Sequence, residues 1–233
     1  MIRLLLVFLF SFQICSMFGQ QKSMYFSEEI KKHIYKYNQS SNKAYETGAM
    51  EKGQLLFDSL VQNYLIGTRI NNYVLKCANG KKVKLNKIKR PILLITYSSW
   101  CVLNKAEIPA LNKIAKKYEK NFQLIVLFWD TKKNITKLAN RFNNEIKVCY
   151  AHEEYANDEE VVSNLKHYLG FPTSYFMTEN LELLDIQKGT PQVAYKTPFK
   201  KALDYDMAFF HKRITNLLLQ KDMKQESLVN TVD

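Results

Sequence analysis

Two continuous apolar runs, with an amphipathic stretch between them, constrain this chain most. Residues 91–97 read PILLITY and residues 122–129 read FQLIVLFW. Neither run alternates polar with apolar, so each is expected in a sheet covered on both faces. Between them, Leu111, Ile114, Ala115 and Tyr118 recur at helical spacing, which predicts a helix over about 103–118. Strand, helix and strand in that order make a right-handed crossover between parallel neighbours. A chain of 233 residues with 46% hydrophobic content can bury such a sheet. The fold class expected is α/β, a central mixed sheet flanked by helices.

The flanking sequence fills in the rest. Tyr73–Cys77, Asn79-Gly80 and Lys82–Leu85 read as a hairpin, with Asn-Gly supplying the positive φ values of a two-residue turn. Further on, a helix is expected over 135–142, a strand over 146–151 and a short helix over 161–168. A strand pair, 174–177 and 183–188, turns around Glu179-Asn180, and a helix over 200–219 follows. Residues 21–66 show helical spacing after Ser27-Glu28-Glu29, whose acids suit a helix start. We read them as an N-terminal helical extension packed on a main unit of residues 67–219. Residues 220–233 are polar and are expected to fray.

Residues 1–20 read as an export signal. Arg3 precedes an apolar run, Leu4 to Phe18, that is short for a membrane span. Gly19 and polar Gln20-Gln21-Lys22 follow, placing cleavage near Gly19 to Gln21. An uncleaved anchor is the alternative. Export leaves Cys77, Cys101 and Cys149 in the mature chain, an odd number that implies a free or intermolecular thiol. Cys77 and Cys149 fall in strand-like runs and read as small buried hydrophobes.

The formal charge is +12. A nucleic-acid partner is not expected, because the lysines are spread along the chain without a basic stripe or zinc-finger spacing. Attraction to acidic partners or to a membrane surface is the secondary reading. His33, His152, His167 and His211 lack metal-ligand spacing, so no metal is expected. No glycine-rich phosphate loop is present and no cofactor is expected.

The chemistry concentrates where the first apolar run ends. Trp100-Cys101-Val102-Leu103-Asn104-Lys105-Ala106-Glu107 leads into the predicted helix, and Gly170-Phe171-Pro172-Thr173 precedes a later strand. With Asn79-Gly80-Lys81-Lys82-Val83, Phe128-Trp129-Asp130 and Gly189 in their order, these residues resemble the exported thioredoxin-like proteins of the TlpA/ResA type over about 67–219. The resemblance implies a thioredoxin-like fold in which the Trp-Cys turn faces a cis-proline loop at Pro172. It also implies that a glutamate at the offset of Glu107 influences cysteine proton transfer. An exposed helix residue is the other reading of Glu107.

Asn104 departs from that pattern, for it stands where the second cysteine of Trp-Cys-x-x-Cys belongs. Cys101 at a helix N-terminus would favour the reactive thiolate, with Lys105 adding positive charge. Without a resolving thiol the mixed disulfide must wait for an external one. The expected activity is therefore monothiol exchange on protein thiols or extended protein segments, held by Trp100, Phe171, Pro172 and Thr173. A non-catalytic binding or scaffold module is the alternative. The peroxide-reducing signature Pro-x-x-x-Thr-x-x-Cys is absent, since Leu94 takes the proline position and Ser98 that of the threonine.

Overall fold

The structure is a computed structural model that describes residues 25–101, 103–166 and 168–229. The expected export signal at 1–20 lies outside the described residues. Among the described residues no helix is long and apolar enough to cross a membrane.

Seven strands form one mixed sheet: β1 (Val74–Cys77), β2 (Lys82–Lys84), β3 (Ile92–Tyr97), β4 (Gln123–Trp129), β5 (Lys147–Ala151), β6 (Thr173–Met177) and β7 (Leu183–Lys188). Their order is β2-β1-β5-β4-β3-β6-β7. The three central strands β5, β4 and β3 are parallel, and β1 and β6 attach antiparallel on either side. The longer helices are α1 (Phe26–Glu46), α2 (Met50–Leu60, extended by a π turn over Val61–Leu65), α3 (Glu107–Lys117), α4 (Lys132–Ala139) and α5 (Phe199–Val229), and a short helical turn, Glu159–Val161 continued by a π turn over Val162–Lys166, stands near the short helix expected over 161–168. This is the thioredoxin-like α/β architecture.

Both apolar runs are buried at every strand position, and their alternate side chains fill two cores. Ile92, Leu94, Ile125 and Leu127 share one core with Phe26, Ile30 and Ile34 of α1 and with Phe57 and Leu60 of α2. Leu93, Ile95, Leu124, Val126 and Phe128 share the other with Leu111 and Ile114 of α3 and with Phe210 and Ile214 of α5. The N-terminal helices therefore share the cover of one face of the central sheet with Val161, Val162, Leu165 and Leu169. Each side chain of this size, fully buried, contributes about 1.5–3 kcal/mol.

Three local expectations are corrected. The hairpin turn has three residues, Ala78 to Gly80, closed by Gly80 N–H to Cys77 O (3.0 Å) and Cys77 N–H to Lys81 O (2.8 Å). Only Gly80 takes positive φ there (+84°), as in a type I turn followed by a left-handed residue. The last helix continues through Val229, past the expected end at 219. The third correction bears on the site. The helix after β3 starts at Glu107, four residues later than 103. Proline lacks an N–H and its ring clashes with the carbonyl four residues back, so it fits only the first turn of a helix. Pro109 thus fixes the start of α3 at 107.

Candidate functional site

Cys101 sits in the loop between β3 and α3. Its N–H donates to Ser98 O (3.0 Å), and its sulfur accepts the Ser98 N–H (3.4 Å). The side chain is partly exposed. The helix begins six residues further on, so the thiol does not sit at its N-terminus. The helix dipole falls off within the first turn and gives Cys101 no support.

Ser99 ties this loop to the end of β4 by donating to Asp130. The carboxylate of Asp130 also accepts the Thr131 N–H and the Asn134 side-chain amide, both at 2.7 Å, and so ties the loop to the first turn of α4. Burial pushes the Asp130 carboxyl up, but these donors outweigh it and hold the group below its usual range. Asp130 reads in the sequence only as the residue closing a strand. Its link to the cysteine loop follows from strand register, which the sequence does not display.

The second loop arrives through the β3–β6 pairing. Thr96 pairs with Thr173, which brings Pro172 level with Tyr97 at the same end of the sheet. The Phe171–Pro172 peptide is cis. Thr96 Oγ1 donates to Thr173 O and accepts the Thr173 N–H, both at 3.1 Å. Thr173 Oγ1 donates to Gly170 O (3.0 Å), closing the loop on itself. Trp100 also reaches this loop. It is 73% exposed, with its ring edge-to-face on Phe171 at 5.4 Å. The pair forms an aromatic surface beside the cysteine loop.

Beneath the loop lies a set of buried polar groups. Asn104 Oδ1 accepts the Ala106 N–H (2.8 Å) and Asn104 O accepts the Glu107 N–H (3.2 Å), so this asparagine shapes the turn into α3. Lys105 is exposed in that turn and lines a cavity of about 510 Å³ with Asn104 and the 190–197 segment. Glu107 is 1% exposed, which excludes the exposed-residue reading. Its Oε1 accepts the Tyr97 hydroxyl (2.7 Å), while Oε2 has no hydrogen-bond partner. Asp206 of α5 is fully buried, and the Asn104 amide is the polar group beside its carboxylate. Burial, and then repulsion from Asp206, push the Glu107 carboxyl up to about 7 against the Tyr97 and Asn104 donors. Burial pushes Asp206 up as well, opposed by the Asn104 amide. Burial and the Glu107 charge raise the Tyr97 phenol, which stays a donor. Asp206 is the residue that sequence reasoning missed. It lies in a helix a hundred residues from Cys101 in sequence, and no local pattern marks it.

Among the described residues no cluster of three His, Cys, Asp or Glu could hold a metal ion. The arrangement offers one accessible sulfur, an aromatic surface beside it and a buried carboxyl that titrates near neutrality.

Thioredoxin-like protein YneN of Bacillus subtilis (strain 168) is 23% identical over 141 residues, covering 60% of this chain and 79% of YneN. A candidate protein disulfide isomerase of Bacteroides thetaiotaomicron, solved in solution, superposes with a TM-score of 0.50 at 13% identity, covering 69% of this chain and 94% of that one. A candidate thiol:disulfide interchange protein DsbE of Chlorobium tepidum superposes with a TM-score of 0.47 at 20% identity, covering 66% of this chain and 97% of that one. Residues 66–186, more than half of the chain, match the AhpC/TSA family along the whole sheet from β1 into β7, and the chain belongs to that family.

Proposed function

We propose that this protein is an exported thiol-exchange protein of the TlpA/ResA type with a single reactive cysteine in its loop site, acting through Cys101 on protein thiols or extended protein segments. The observation that carries the proposal is one partly exposed sulfur in the β3–α3 loop, with Asn104 where a resolving thiol would stand. The Cys101 thiolate attacks a substrate disulfide and a new S–S bond forms. The electron pair of the old bond leaves on the departing sulfur, which takes up a proton. Asn104 has no thiol with which to displace the product. A second, external thiol must therefore attack the mixed disulfide and regenerate Cys101. Trp100, Phe171 and Pro172 hold the segment, and Thr173, fully buried, fixes the loop from beneath rather than touching it. Lys105 adds positive charge at the turn, and Glu107 holds or releases a proton beneath the loop.

The test uses a glutathionylated peptide in a Cys77→Ala/Cys149→Ala background. Glutathione should transfer to Cys101, and added reduced glutathione should release it. Cys101→Ser should lose both steps. If deglutathionylation continued at the same rate in Cys101→Ser, the exchange proposal would fall and the chain would act as a binding module. Export is tested separately. N-terminal sequencing of the secreted chain should begin near Gln20 to Ser23, and recovery of Met1 would favour an anchor instead.

A further inference from the structure

Cys77 and Cys149 lie away from the Cys101 loop and face each other across two strands. They are register partners in the antiparallel β1–β5 pair, and their sulfurs stand 3.0 Å apart. The Ala78 N–H donates to Val148 O (2.9 Å), so Ala78 and Val148 form a hydrogen-bonded pair. The Cys77/Cys149 pair beside it is then a non-hydrogen-bonded one, in which antiparallel side chains approach most closely. The Cα separation of such a pair falls in the range that a disulfide bridges. The two residues lie 72 positions apart in sequence, which is why each looks like an isolated core cysteine there.

We propose that Cys77 and Cys149 form a second thiol–disulfide site, a cross-strand dithiol that a low-molecular-weight disulfide oxidises to a covalent bond between β1 and β5. The surroundings give the two sulfurs different parts. Cys77 is 3% exposed and Cys149 fully buried, and both belong to the core that α1 and α2 cover. The hydrogen bond from Cys149 lowers the Cys77 thiol and the Lys147 ammonium helps, against burial. Burial and the hydrogen bond with Cys77 push Cys149 up. Cys77, the less buried of the two and one strand from the sheet edge, therefore attacks first. Its thiolate bonds to one sulfur of the external disulfide, and the other sulfur leaves with the electron pair. Cys149 then attacks the Cys77 sulfur and expels the second external thiolate. The protein loses two protons and two electrons, and the external disulfide becomes two thiols.

The proposal is independent of the part assigned to Cys101, and its test removes that residue. Reduced Cys101→Ser protein is exposed to oxidised glutathione, unfolded in alkylating reagent, and mapped by mass spectrometry without reduction. The expected result is joint loss of alkylation at Cys77 and Cys149, with their peptides recovered as one linked species. In a Cys149→Ala variant, glutathione should remain attached to Cys77. Equal alkylation of both cysteines with and without oxidised glutathione would overturn the proposal. Faster glutathione capture by Cys149 in Cys77→Ala than by Cys77 in Cys149→Ala would overturn the order of attack.

Discussion

Replacing Glu107 with glutamine should change how the stability of this protein depends on pH. The carboxyl is buried between α3 and the sheet, takes one hydrogen bond from Tyr97, and leaves Oε2 without a partner near the buried Asp206. Its pKa rises from the ordinary 4.5 to about 7 on folding. Between those values the folded state keeps a proton that the unfolded state has lost. Stability therefore falls as pH rises through that window, and the favourable contribution is complete only below the unfolded value. At 1.36 kcal/mol per pH unit, the loss above pH 7 is about 3 kcal/mol. Glutamine preserves the shape and the acceptor for Tyr97 but does not titrate. The assay is urea unfolding of both proteins from about pH 4.5 to about pH 8, with midpoints compared at constant m-value. The stability of Glu107→Gln relative to the wild type should rise by about 3 kcal/mol across that range. Parallel pH profiles would show that Glu107 ionises in the folded protein as it does in water, and the buried-carboxyl account would fail.

Four other outcomes follow from the same geometry. Asp130→Ala removes the acceptor shared by Ser99, Thr131 and Asn134, and should cost about 1–3 kcal/mol in chemical unfolding. Joining Cys77 to Cys149 closes a 72-residue separation, and the oxidised protein should gain about 4 kcal/mol over the reduced one in thiol-free denaturation. Trp100→Ala should leave stability within about 0.5 kcal/mol, because the ring is mostly exposed, yet slow the capture of peptide disulfides by Cys101 in stopped-flow measurements. Asn104→Cys should make release of the Cys101 adduct independent of added glutathione, which single-turnover mass spectrometry would detect.

Much of this architecture was legible in the residues themselves. PILLITY and FQLIVLFW have no polar face, so they could only be central strands, and the helical spacing between them required a parallel crossover. The Trp-Cys turn, the Gly-Phe-Pro-Thr loop and the substitution of Asn104 were likewise plain, because each is a short contiguous string. Even the late start of α3 was available in principle, since Pro109 excludes a longer helix on steric grounds alone. What stayed hidden depends on register and on packing between distant segments. Thr96 meets Thr173, Ser99 reaches Asp130, and Asp206 approaches Glu107 only after the sheet has closed and α5 has docked on α3. The same holds for the two buried cysteines. A shift of one residue in the β1–β5 ladder would turn their side chains to opposite faces, because strand side chains alternate. Hydrophobic period is a property of neighbours in the chain and can be read along it. Proton affinity and sulfur pairing are properties of neighbours in space, and the folded sheet alone supplies those.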